Sequence, residues 1–72
     1  MTKKEEKNIL ENTSTAIDRY VWFLDVYLKS LESSADNKDI IAEHERRVRI
    51  YRTELKIWLN EAMPILKEII DD

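Results

Sequence analysis

ESSADNKD, Glu32 to Asp39, is the only cluster of turn-forming residues in this chain. The chain holds no glycine, and its lone proline is Pro64. Strands and tight turns need such punctuation, so everything outside 32–39 reads as uninterrupted secondary structure. Glu, Lys, Arg, Leu and Ile dominate both flanks and favour helix. The pattern predicts an all-α protein of two long helices joined by one short connection, about 34–38. Asp36 is the expected N-cap of the second helix, with Asp39 three residues on supporting its first turn. A cap one or two residues away is the alternative, and Asn37 is the residue here that best tolerates a left-handed backbone.

Before the turn, the first helix is expected over about 4–33. Leu10, Ile17, Leu24 and Leu31 fall seven apart, with Thr13, Tyr20 and Tyr27 between them and Val21 and Leu28 widening the stripe. The first seven residues are polar and are expected to fray. Asn12-Thr13-Ser14-Thr15 is a poor helical run, because short polar side chains compete for backbone hydrogen bonds. A restart at Thr15, with Asp18 three residues later, is the alternative to a continuous helix.

After the turn, the second helix is expected over about 38–70. Ile41, Val48, Leu55, Ala62 and Ile69 fall seven apart, and His44, Tyr51, Trp58 and Ile65 take the intervening positions. This is a coiled-coil-like seam. Pro64 removes a backbone donor and predicts a kink near 60–64 or a short third helix. A connection this short makes the helices antiparallel neighbours, a helical hairpin forming a single domain, 1–72. In that arrangement Asp18 is expected near Arg52 or Lys56, and Asp25 near Arg46 or Arg49. Such exposed pairs contribute on the order of 0.2–1 kcal/mol and serve to choose orientation.

Against this frame, YVWFLDVYL, residues 20 to 28, carries too much apolar surface. Trp22 and Val26 point nearly opposite the seam and Phe23 lies at its margin. On the second helix Ile50 and Ile57 point away. Ile65, Leu66, Ile69 and Ile70 fall opposite the polar segment Lys3 to Asn8, which does not cover them. A hairpin has one inner side, so a second cover is required. Domains of this size are marginal alone, and with no cysteine and one histidine neither a disulfide nor a structural metal is expected. The second cover is therefore another copy, as in a four-helix bundle, or a different protein.

The signs of chemistry are sparse. His44 lacks the second histidine of an H-E-x-x-H metal site and reads as a packed seam residue. Glu43, Glu54, Glu61 and Glu68 line one flank of the second helix without a pocket to shift their protonation. No catalytic triad, phosphate loop or ligand cluster is present, so no enzyme activity and no cofactor are expected. ERRVRIYR, residues 45 to 52, is locally basic, but its arginines fan around the helix and the net charge of −3 gives no general attraction to nucleic acid or anionic lipid. The N-terminal MTKKEEKNILENTS lacks the apolar run of a signal peptide. The longest predominantly apolar stretch is nine residues, 20 to 28 with Asp25 inside it, against about 20 for a membrane span. A cytoplasmic protein is expected.

The reading that results is a non-enzymatic interaction module: an adaptor, co-chaperone, inhibitor or assembly subunit. Its docking residues are Trp22, Phe23, Val26, Ile50, Ile57, Ile65 and Ile69. The alternatives are a dimeric nucleic-acid-binding regulator using Arg46, Arg49, Arg52 and Lys56, and a purely structural homo-oligomer.

Overall fold

The computed structural model describes residues 1–71, the last of these for its backbone alone. Two helices, α1 (Lys3–Ser33) and α2 (Lys38–Asp71), pack side by side as an antiparallel hairpin. The all-α hairpin read from the sequence is the fold. Its extents are 50 × 18 × 14 Å and its radius of gyration is 15.8 Å. A compact domain of this length would have a radius near 11 Å, so the molecule is a rod only one helix pair thick.

α1 begins earlier than expected because it is capped. The Glu5 backbone N–H donates to Thr2 Oγ1 (3.1 Å), and the Thr2 hydroxyl donates to Glu5 Oε1 (3.1 Å). This satisfies an otherwise orphaned first-turn donor. The poor run at 12–15 does not break the helix. Thr13 and Thr15 turn their hydroxyls back onto the carbonyls of Ile9 (2.7 Å) and Glu11 (3.1 Å). Side chains engaged in this way do not compete with the helical ladder.

The turn uses no left-handed residue at all. Ser34 N–H closes α1 onto the Ser30 carbonyl (2.8 Å), and Asn37 N–H donates to the Ser34 carbonyl (2.9 Å). The cap of α2 is Asn37, not Asp36. Asn37 Oδ1 accepts from Ile40 N–H (3.2 Å), three residues on. α2 then runs unbroken through Pro64, with no separate third helix among the described residues. The donor that Pro64 lacks leaves the Asn60 carbonyl short of a partner. Both residues are exposed, so water can reach that carbonyl.

The seam of α2 follows the expected heptads through Ile65, but Ile69 lies outside it. The seam of α1 is rotated by about one residue. Glu6, Thr13, Tyr20 and Tyr27 alternate with Ile9, Ala16, Phe23 and Ser30, all buried or half-buried. The expected row of Leu10, Ile17, Leu24 and Leu31 sits on the flank, with Ile17 and Leu31 exposed. Close approach explains the choice. Ala16 and Ala62 retain 2% and 0% of their accessible surface, and the Thr13 hydroxyl reaches across to the Trp58 carbonyl (3.3 Å). A row of leucines would hold the backbones apart at this point. Further along, Phe23 stacks on Tyr51 with ring centroids 4.3 Å apart, an arrangement that contributes about 0.5–1.5 kcal/mol beyond area burial.

Rotation also overturns the expected charge pairs. Asp18 does not meet Arg52 or Lys56, and Asp25 does not meet Arg46 or Arg49. Asp25 instead pairs with Lys29 on its own helix (2.9 Å), and Arg46 and Arg47 both pair with Glu43. Among the described residues, the ion pair that crosses the hairpin is Arg19 to Glu54 (3.1 Å). Turning α1 by one position carries Asp18 and Asp25 outward and brings Arg19 alongside α2.

Candidate functional site

The hairpin has two broad sides, and helical spacing assigns residues to them. Arg19 and Glu54 mark the first side. Trp22 and Val26 follow Arg19 by three and seven residues, while Ile50 and Ile57 flank Glu54 by four and three, so all four share that side. Trp22 and Ile57 keep 60% and 59% of their surface, and Ile50 is comparably exposed. Val26 is half-buried against the seam. The Trp22 ring stands edge-on to Phe23, with centroids 4.6 Å apart and planes at 86°. Phe23 is itself stacked on Tyr51, so this exposed indole rests on a fixed base.

Two of the seven expected docking residues lie inside the hairpin. Phe23 belongs to the seam. Ile65 retains only 4% of its surface, because α1 extends to Lys3 and its first turns cover it. Ile65 shares an open groove with Glu6, Lys7 and Leu10. Ile69 remains exposed at the groove mouth and Ile70 beside it.

The second side is marked by a cleft lined by Tyr20, Arg52, Leu55, Lys56 and Leu59. Beside it on α1 run Ile17, Val21, Leu24, Leu28 and Leu31, exposed except for half-buried Leu24. Sequence reasoning placed this row in the seam and so missed it as surface. The signal was present in the parallel heptads Ile9, Ala16, Phe23 and Ser30, which carry the aromatic ring and the small residues that close packing needs. Arg49, Arg52 and Lys56 are exposed on α2 and make no ion pair among the described residues, whereas Arg46 is held by Glu43.

The polar groups near the seam are few. The Tyr27 hydroxyl donates to Glu45 Oε1 (3.0 Å). That hydrogen bond raises the phenol above its ordinary value, with desolvation and the Glu45 charge acting the same way and Arg49 opposing. His44 is half-buried at its expected seam position, and its Nδ1 is shielded without a hydrogen-bond partner. Among the described residues no three His, Cys, Asp or Glu side chains converge as a metal site. No described helix is long and apolar enough to cross a membrane.

The exposed surface of the hairpin exceeds that of a compact chain of its mass. A compact monomer of 8.7 kDa exposes about 4,700 Å². The hairpin exposes 5802 Å², about 1,100 Å² more. Among the described residues, only Ala16, Ala62 and Ile65 are buried apolar residues, and no large side chain is fully enclosed. No protein-family model, curated protein or solved structure matches the chain.

Proposed function

We propose that this protein is a non-enzymatic interaction module that docks another protein chain on its Arg19 side, through Trp22, Val26, Ile50 and Ile57. The observation that carries this reading is the exposed indole of Trp22, braced edge-on by a stacked Phe23 and Tyr51. Aromatic anchors held in place before binding lose little freedom on docking, and they concentrate interface energy. Fully covering a side chain of this kind contributes about 1.5–3 kcal/mol. The hairpin form suits bundle completion, in which a partner helix lies along an apolar face. Adaptor, co-chaperone, inhibitor and assembly subunit are all roles of this type.

A nucleic-acid-binding regulator is the second reading, supported by Arg49, Arg52 and Lys56, which are exposed and make no ion pair among the described residues. Against it, Arg52 and Lys56 border Tyr20, Leu55 and Leu59 rather than forming a polar strip, and Arg46 is engaged by Glu43.

Affinity capture from a native lysate separates the readings. The parent chain should retain protein that resists added salt, that Trp22→Glu and Ile57→Glu each release, and that Arg49→Glu/Arg52→Glu retains. Capture of salt-labile nucleic acid, lost only in the arginine variant, supports the second reading, because phosphate contacts weaken steeply with salt. Identical capture by the parent and Trp22→Glu would refute docking through this side.

A further inference from the structure

The opposite side, which the proposed docking does not use, has the makings of a self-association surface. We infer that two copies pair through the α1 stripe Ile17, Val21, Leu24, Leu28 and Leu31, antiparallel, about a two-fold axis passing near Leu24. The inference rests on the reading that the exposed apolar sides are docking surfaces, and it names the occupant of the side left free.

Four observations point to a second copy. The stripe is apolar at every position, and four of its five residues are exposed in the hairpin. Its gaps of four, three, four and three residues read three, four, three, four from the other end, so the stripe is symmetric about Leu24 to within one residue. An antiparallel second helix therefore sets Ile17 against Leu31, Val21 against Leu28, and Leu24 against its own counterpart. An isologous interface must have this self-complementarity.

The charges on α2 fall into the same register. Phe23 lies opposite Tyr51 and Tyr27 opposite Glu45, so Leu24 stands level with residues 48 and 49 of α2. A two-fold axis at that level carries Arg52 of one copy to Glu45 of the other. Both occupy one row of α2, seven residues apart, on the side of the Tyr20 cleft. Arg52 is exposed and makes no ion pair among the described residues. Glu45 gives Oε1 to Tyr27 and keeps Oε2 for a second donor. The acid nearest the axis, Asp25, is already paired with Lys29 and points outward. Arg49 approaches its own counterpart at the outer edge, where solvent and salt screen it.

Area gives the fourth argument. The surplus of about 1,100 Å² over a compact monomer exceeds the roughly 800 Å² that each partner contributes to a standard interface. The hairpin thus has surface enough for a standard interface on this side with the Trp22 side left free.

Sedimentation equilibrium of the full chain over a wide concentration range tests the inference. The parent should show twice the 8.7 kDa chain mass. Val21→Glu/Leu28→Glu should sediment as a monomer, with circular dichroism showing that it remains helical. Arg52→Glu and Glu45→Arg should each weaken association about tenfold to a hundredfold, and the double exchange should restore it. Trp22→Glu should leave it unchanged. A parent monomeric throughout overturns the inference, as does association that survives Val21→Glu/Leu28→Glu. If that variant fails to fold, an exchange pair that gives no rescue overturns it instead. A monomer that still binds its protein partner through Trp22 would overturn the pairing and leave the proposed function standing. A dimer that captures nothing would do the reverse.

Discussion

Ala16→Leu tests the seam register more directly than any other change. Ala16 retains 2% of its surface and lies one turn from Thr13, whose hydroxyl touches the backbone of α2. Leucine matches alanine closely in helix propensity, so an effect at this site measures packing. Inserting the larger side chain where two backbones approach costs typically 1–3 kcal/mol. Separation of the helices would also remove the Thr13 to Trp58 hydrogen bond, a further contribution of about 1 kcal/mol. Small single cores rarely supply more than about 3–5 kcal/mol in total, so most of the stability is at stake. Urea unfolding followed by far-ultraviolet circular dichroism reads the change. With a slope near 1 kcal/mol per molar urea for a small chain, the two losses together should lower the midpoint by about 2–4 M. The same substitution at exposed Ala42 is the control and should stay within about 0.5 kcal/mol. Both variants are compared with the parent at one protein concentration, since association adds to apparent stability. Equal midpoints for Ala16→Leu and Ala42→Leu would place Ala16 on the flank, restore Leu10, Ile17, Leu24 and Leu31 to the seam, and refute the rotation.

Three further predictions follow from the local geometry. Asn37→Ala should destabilise the hairpin by about 1 kcal/mol through loss of the α2 cap, while Asp36→Ala should do markedly less in the same urea assay. His44→Leu should raise the thermal midpoint, since it replaces a shielded nitrogen that has no partner with an apolar group at a seam position; an unchanged or lower midpoint would show that Nδ1 finds a donor or acceptor in solution. Tyr27 should ionise above the ordinary phenol value of 10.0 in an ultraviolet phenolate titration, and Glu45→Gln should bring it back toward that value. The sign of the linked stability follows from the raised value. The folded state favours the neutral phenol, so the contribution is complete below about pH 10 and is lost as pH rises through the folded value.

The sequence by itself determined the architecture. Without glycine, and with turn formers confined to 32–39, the chain had one place to reverse, and two helices of that length joined so briefly must lie antiparallel. The α2 heptads were equally legible, because their apolar residues are large and their neighbours charged. Tertiary structure alone decided which face of α1 turns inward. Two adjacent heptad rows there are both compatible with burial, one of leucine and isoleucine, the other of Ile9, Ala16, Phe23 and Ser30. Hydrophobicity favours the first. The fit against α2 favours the second, because Ala16 with Thr13 lets the backbones approach and Phe23 finds a ring to stack on. The candidate surfaces, the charge pairs and the burial of Ile65 all follow from that rotation, and a one-dimensional pattern does not contain it: packing depends on the shape of the opposing helix, which exists only once both are folded together.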